Sequence, residues 1–538
     1  MRNKIIVASI AAACAGLVAG SGAILASPAG YFPAVQQFEG GSGGYANPQP
    51  GPLFSPMTPP DVNGAVGMNG SSEVVTELLN GYYGVYSPTG LPITQETMGV
   101  FWANALGSAT FDNVFGSSGS YFATDPRILY DPSSKRWFAS TLGIAPGGTS
   151  DSFLVAVSNT SNPGGSWSGF AIPANSAGSS FADFDTLAVN GGSVYLNGDM
   201  YGGTTSQAFG PVAIDLVAIP KAAMTGPKPS DSGYRIFTSS TGAGGYINQP
   251  VQELGSTATT EYLYSGDFTN QLNRSEMTGT SAANYVLNQG SGSVVPFSSS
   301  AAGSTTAIVS PISQPGTAVK IDGGDSRLSS NLYMDANGLV WGVQTVADAK
   351  NPNVNDIRYF AISPSTNTIM VQGLITAPTS NPNLSLAYAS IAVNPVPNST
   401  KENVVIDFEG GSGTQSISTY VTTGVFNGST LSLSPFLPLQ PPAGSGGVYI
   451  QSPGMTTGTS RWGDYSTIWA DPTNPKDFWI FQELPDGTNS NQWNTWITEI
   501  DPPFIGAASA VPEPGALPIL FLGFAPLLLI LRRRKLEN

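Results

Sequence analysis

Asp125-Pro126-Arg127-Ile128-Leu129-Tyr130-Asp131 is the phrase that decides the fold, because versions of it recur along the whole chain. Each opens on Asp, Arg or Gln-Pro (Ser in one copy), runs through small and β-branched residues, and often closes on Asp or Asn. The others are Asp61-Val62-Asn63-Gly64-Ala65-Val66-Gly67, Asp183-Phe184-Asp185-Thr186-Leu187-Ala188-Val189-Asn190 and Gln249-Pro250-Val251. Further on come Arg327-Leu328-Ser329-Ser330-Asn331, Ser390-Ile391-Ala392-Val393-Asn394 and Arg461-Trp462-Gly463-Asp464-Tyr465-Ser466. Their spacing of about 58–78 residues divides the body into seven units. A second apolar run follows in most units, such as Arg136-Trp137-Phe138-Ala139-Ser140 or Phe478-Trp479-Ile480-Phe481, and Gly, Pro, Asn and Ser mark the turns.

This density of short strands predicts an all-β fold: a seven-bladed β-propeller of four-stranded antiparallel blades, a radial solution with only short protected edges. Two or three β-sandwich domains are the alternative, and they call for strand groups nearer ~100 residues. The expected layout is a signal helix in 1–26, the propeller in 27–510 and a hydrophobic C-terminal helix within 511–538. Extra length is expected in loops, above all the Ser/Gly/Ala-rich stretch Thr278 to Thr306.

The 538 residues include 64 Gly and 43 Pro, one cysteine and no histidine. Without histidine there is no Ser-His-Asp or Cys-His machinery and no His-ligated metal. Cys14 lies in the segment expected to be removed, so disulfides and thiolate chemistry are also excluded. Hydrophobic residues at 41% suffice for a large core, which argues against disorder. Leaving out both ends, 14 basic residues face 33 acidic ones, a charge of about −19 that repels phosphate backbones. No nucleic-acid partner is expected.

The ends read as addresses. Arg2 and Lys4 precede an apolar run from Ile5, with small residues near Ala26, as in a secretory signal. Val511-Pro512-Glu513-Pro514 is followed by an apolar segment at 516–531 and by Arg532-Arg533-Arg534-Lys535. Sixteen apolar residues interrupted by Pro518, Gly523 and Pro526 make a short span, and the basic cluster holds the terminus in the cytoplasm. This arrangement resembles the PEP-CTERM sorting signal of Gram-negative bacteria. The resemblance implies an exosortase-type membrane protease as a partner and transient anchoring in the inner membrane, followed by delivery to the cell surface or extracellular matrix.

The body also resembles a group of large secreted bacterial propellers, some labelled sialidase-like. The residues that carry this are Pro59-Pro60-Asp61-Val62-Asn63-Gly64, Leu79-Asn80-Gly81, Asp125-Pro126-Arg127 and Arg461-Trp462-Gly463-Asp464-Tyr465. In a propeller the residues opening the phrases converge on the central channel. Candidates for ligand binding there are therefore Asp125, Arg127, Asp183, Asp185, Arg327, Arg461 and Asp464, with Asp61 beside them. An arginine cluster of the sialidase kind would grip a sugar carboxylate, and a glycosidase would further need a nucleophile and an acid, for which Tyr130, Tyr465 or one of the aspartates are the candidates. Against this, Arg beside Asp at a strand start ordinarily satisfies charge, and Asp-Pro turns cap strands. Thr160-Ser161-Asn162-Pro163-Gly164-Gly165-Ser166-Trp167 is a single degenerate Asp-box turn with Asn where Asp belongs.

No cofactor is expected. Calcium is the one metal left open, by Asp322-Gly323-Gly324-Asp325, by Asp183 with Asp185, and by Asp471 with Asn474 and Asp477, none in EF-hand order. The glycine runs at 40–44 and 410–413 lack a Lys-Ser/Thr helix start and are expected to be loops. Trp493 and Trp496 offer sugar stacking or packing between blades. The favoured role is a binding or scaffolding propeller contacting surface polysaccharide or another envelope protein. The alternative is a carbohydrate-active hydrolase or lyase using Asp, Arg and Tyr in the channel, and no residue is assigned as catalytic. Mass spectrometry of the natively expressed protein tests the addresses: a mature chain lacking both the leader and the Arg cluster is expected, and an intact tail would overturn the sorting reading.

Overall fold

The computed structural model describes residues 34–44, 57–115, 122–145, 151–174, 180–202, 213–240, 247–266, 270–289, 294–298, 309–395, 401–441, 445–474 and 476–502. The expected leader at 1–26 and the tail motif and segment at 511–538 lie outside these residues. Among the described residues, no helix is long and apolar enough to cross a membrane.

The body is all-β, built of antiparallel sheets that are mostly four-stranded, with few helices. The first sheet orders Asn63–Asn69, Ser72–Leu79, Tyr82–Tyr86 and Pro92–Glu96. The second orders Phe122–Asp131, Arg136–Ile144, Asp151–Ser158 and Trp167–Pro173, and the third Ser180–Val189, Ser193–Gly202, Ala213–Pro220 and Arg235–Ser240. A nine-stranded sheet follows, made of two antiparallel sets joined where Val251 and Gln252 pair in parallel with Leu332 and Tyr333. Next comes the sheet of Ser385–Pro395, Glu402–Ser412 and Gln415–Phe426. The last holds Thr467–Ala470, Phe478–Pro485 and Gln492–Ile500. Its outer edge is Gln36–Gly44, with Phe38 opposite Ile497.

The opening strands form a circuit. Asn63–Asn69 packs beside Phe122–Asp131, which packs beside Ser180–Val189; Gln249–Gln252, Leu332–Met334, Ser385–Pro395 and Thr467–Ala470 follow in turn, and the last lies beside the first. This is the radial arrangement of a β-propeller. Glycines on the first opening strand let its neighbours close in: a Cβ at Gly64 would meet the Phe481 ring at 2.1 Å, and one at Gly67 would meet Tyr130 at 2.4 Å.

The closing Asp or Asn of the recurring phrase has a clear cause. Asp131 accepts from the backbone N–H of Ser134 at 3.0 Å and Asn190 from Gly192 at 2.8 Å, and Asp335, beyond the phrase that ends at Asn331, accepts from Asn337 at 2.8 Å in the same way. Each holds the hairpin to the second strand as an Asx turn. Trp341 and Trp479, at the starts of second strands, donate their indole N–H to Asp335 at 2.8 Å and Asp471 at 2.9 Å. One short polar residue thus shapes the turn and pairs the buried Trp beside it.

Three features depart from the sequence expectation. Helices α1 (Met98–Leu106) and α2 (Ser108–Phe115) follow the first sheet, and α3 (Lys221–Thr225) follows a third-sheet strand. α1 has no charged residue; Thr97 caps it by accepting from Val100 N–H at 3.3 Å, and Phe101, Trp102 and Leu106 are buried. Its signal is a cap and an apolar face rather than an Ala/Glu/Lys/Leu stretch. The glycine runs are strand rather than loop: Gly40–Gly44 belongs to Gln36–Gly44, and Gly410–Ser412 to Glu402–Ser412. Within Thr278 to Thr306, Val286–Asn288 and Val294–Pro296 pair with the edge of Gln271–Thr278.

Lys221 of α3 reaches Asp131 of the second sheet at 2.6 Å, with both side chains buried. Burial pushes the Asp131 carboxyl up, but hydrogen bonds from Lys221 and Ser134 and the Lys221 charge outweigh it and hold it below the usual range. Asp131→Ala strands a buried ammonium and is expected to cost about 3 kcal/mol or more. A urea melt showing a loss under about 0.5 kcal/mol would mean the pair is solvated instead.

Candidate functional site

Residues at the openings of the recurring phrases, or within two positions of them, sit in strained backbone that is bulged in three of the sheets. Asp61, Asp125, Phe184, Ile247 and Tyr388 have φ of 49°, 59°, 63°, 39° and 50°. These are uncommon values for side chains other than glycine. Pairing slips between Thr124 and Arg127, between Asp183 and Thr186, and between Ala387 and Ser390. A β-bulge re-aims the side chains around it. Asp125 and Asp183 consequently point into a common cavity, whereas Arg127 and Asp185, two residues on, lie in a layer beneath.

The cavity, about 460 Å³, is lined by Asp61, Asp125, Asp183, Asp322, Asp325 and Asp464 together with Arg327 and Arg461. Five of the seven candidates from the sequence therefore meet there; Arg127 and Asp185 do not line it. The strand openings supply only part of the set. Asp322, Asp325 and Arg327 follow Ala318–Ile321, which pairs in parallel with Thr457–Ser460, and Arg461 and Asp464 follow that partner.

Asp61 Oδ2 accepts from Asn80 Nδ2 at 2.6 Å and its Oδ1 accepts from Asp464 N–H at 3.1 Å. Asp125 accepts from Thr124 Oγ1 at 2.8 Å and from Phe184 N–H at 2.5 Å, while its own N–H donates to Asn80 Oδ1 at 3.2 Å. Asn80 thus ties the first two openings together. Arg327 meets Asp325 at 2.8 Å and Asp199 at 3.5 Å; Arg461 meets Asp464 at 2.9 Å.

Crowding of carboxylates shifts their titration. Burial, then the Asp125 charge, raises Asp183 to about 7 despite Arg327. Burial followed by the Asp464 and Asp125 charges holds Asp61 well above the usual range. Asp464 is raised by burial against the pull of Arg461. Such displacement in a concave site marks a candidate for chemistry.

Below the cavity the channel is plugged. The Arg127 guanidinium lies 3.4 Å from the Tyr465 ring centroid and 5.5 Å from that of Phe184, and Arg327 lies 4.4 Å from Phe184. Arg127 Nε donates to the Asp185 carbonyl at 2.8 Å and its Nη1 to that of Ser329 at 3.2 Å, stapling separate sheets. Asp185, wholly buried, accepts from Ser140.

The three arginines are consequently not a free cluster: one is in the plug and two are matched with aspartates. Nor are the tyrosines placed to attack a sugar. Tyr130 packs on Trp137 with ring centroids 4.9 Å apart, and Tyr465 donates to the Pro126 carbonyl at 3.0 Å. Trp493 and Trp496 are buried, so they pack rather than stack on ligand. In the degenerate Asp-box, Asn162 Oδ1 accepts from Gly164 N–H at 3.1 Å, a hairpin turn. Asp322 accepts from Gly324 N–H at 3.1 Å and Asp471 from Asn474 N–H at 2.9 Å, while Asn474 Nδ2 donates to Asp477 at 2.6 Å. Among the described residues, no three such ligands are grouped to hold a metal ion. The reading from sequence passed over Asn80, Phe181, Thr345 and Tyr388 as lining residues. Only Asn80 left a trace, in Leu79-Asn80-Gly81.

No family model matches the chain, and no curated protein matches it. Among solved structures it is similar to an α-L-arabinofuranosidase from Fusarium graminearum, at 10% identity over 83% of this chain and 96% of that one, with a TM-score of 0.38. It is also similar to an exo-β-1,3-galactanase from Clostridium thermocellum (10% identity, 80% and 95%, TM-score 0.27). An endo-arabinase from Bacteroides thetaiotaomicron is a third (10% identity, 71% and 94%, TM-score 0.30). Likeness this loose sets no residue correspondence.

Buried carboxylates give a pH signature. Burial raises Asp183 and Asp407 to about 7 and Glu409 to about 8. In the unfolded chain such groups lose their protons near pH ~4. Between pH ~4 and ~8 the folded state therefore binds more protons, and stability falls as pH rises. A higher melting temperature at pH 5 than at pH 8 is expected in calorimetry; the reverse order would show these groups to be solvated.

Proposed function

We propose that the chain is a seven-bladed β-propeller, exported to the cell surface or matrix, whose central cavity cleaves a glycosidic bond. The closed circuit of opening strands supports the blade count. The observation that carries the activity is the cavity itself: six aspartates crowd one end of the channel, with Asp183 raised to about 7. Purely structural charges would be matched one for one.

In this reading Asp183 is the general acid. Its proton passes to the glycosidic oxygen as the bond to the anomeric carbon breaks, and water adds to that carbon and gives a proton to a second carboxylate. Asp125, the carboxylate weighing most on Asp183, takes the second role. Both of its oxygens accept hydrogen bonds, which fixes their direction, and a carboxylate retains further lone pairs for a proton.

The second reading is a binding propeller without turnover, and the plugged channel with its two matched arginines favours it. Delivery through the tail motif and an exosortase-type protease belongs to both readings. Assays of purified protein on chromogenic glycosides and extracted surface polysaccharide separate them. Turnover is expected to decline as pH rises through about 7, where Asp183 loses its proton. Asp183→Asn is expected to lower it by about 10²-fold or more. Sugar binding with no detectable turnover would favour the second reading.

A further inference from the structure

The charge balance of the cavity narrows the sugar it takes, an inference that rests on the carbohydrate reading above. Asp325 and Asp464 are matched by Arg327 and Arg461. Among the described residues, Asp61 and Asp125 accept hydrogen bonds only from neutral donors: the Asn80 amide, the Thr124 hydroxyl and two backbone N–H groups. Asp322 accepts from a backbone N–H through one oxygen. The Asp183 carboxyl has no side-chain hydrogen bond among the described residues, and burial, the Asp125 charge and the opposing Arg327 charge act on it. Among the described residues, four carboxyl groups therefore face the space without a salt bridge, Arg327 acting on Asp183 and Arg461 on Asp61 only through their charge.

We propose that this cavity selects a sugar residue carrying a protonated primary amine, a hexosamine without its N-acyl group. Three donors on one ammonium suit several carboxyl oxygens spread around a wall, since a carboxyl that keeps its proton, as Asp183 does below about pH 7, still accepts through its other oxygen, and hydrogen bonds from a charged donor are stronger than neutral ones. About 460 Å³ is within the range of small-molecule pockets and accommodates a sugar rather than a bare ion. The acidic body draws cations from a distance. A uronic or sialic acid brings a further anion to a place whose arginines are already engaged. The sialidase-like expectation of a gripped sugar carboxylate is thereby reversed.

Calorimetric titration of the full chain at pH 6 tests this with three tetrasaccharides: β-1,4-glucosamine, its N-acetylated form and a galacturonate. The glucosamine oligomer is expected to bind about tenfold or more tightly than the N-acetylated one, with the difference shrinking as salt is added. Asp322→Asn keeps an acceptor for Gly324 and removes a charge, and is expected to reduce the preference several-fold. Equal binding of the amine and acylated forms, or tightest binding of the galacturonate, overturns the amine proposal and leaves the carbohydrate reading standing. If none of the three binds and no glycoside or polysaccharide is bound or cut, the carbohydrate reading falls, and this inference with it.

Discussion

Ring closure is the constraint on which everything else depends, and a single buried carboxylate sits at its centre. Glu77 of the first sheet accepts from Gly41 N–H at 2.5 Å, from Thr495 Oγ1 at 2.7 Å and from Tyr86 Oη at 2.7 Å. These donors come from the N-terminal strand, the last sheet and the first sheet. A Cβ at Gly40 would sit 2.5 Å from that carboxylate, so the glycines are what allow the closing strand to approach. The cavity needs the seam intact, because Asp61 from one side meets Asp464 N–H from the other.

Apolar packing around the ring supports a centre that local energetics disfavours. Tryptophans 137, 341 and 479 are fully buried at the starts of second strands. Against that background the axis holds residues at positive φ, bulged pairing and aspartates raised by burial and one another. Proteins tend to break local rules where they function. The plug of Arg127, Phe184 and Tyr465 belongs to the supporting side, because the guanidinium donates through Nε and Nη1 to carbonyls and lies against ring faces, while its buried Nη2 has no hydrogen-bond partner among the described residues.

Legibility differed from one element to another. The recurring phrase marks opening strands because it combines a β-branched run with a turn residue, and both act locally. Asp131 and Asn190 close hairpins for reasons contained within a few residues. Helix α1 was not legible as a helix by composition, since its stability comes from Thr97 and from burial of Phe101 and Trp102. The glycine strand at 40–44 reads as a loop until the Glu77 carboxylate opposite it is known.

Sequence by itself determined the strand-rich class, the recurring units, the exclusion of histidine chemistry and of a disulfide within the chain, and which aspartates and arginines stand at unit openings. These follow from residue type and near-neighbour spacing. Tertiary structure alone decided that Asp125 and Asp183 face the cavity while Arg127 and Asp185 lie beneath it. Alternation along a regular strand would put residues two apart on one face, and the slipped pairing after Thr124 and after Asp183 breaks that alternation. It also decided that Arg327, beyond its near neighbour Asp325, is engaged by Asp199, which comes from a strand more than a hundred residues away, a distance that folding alone closes.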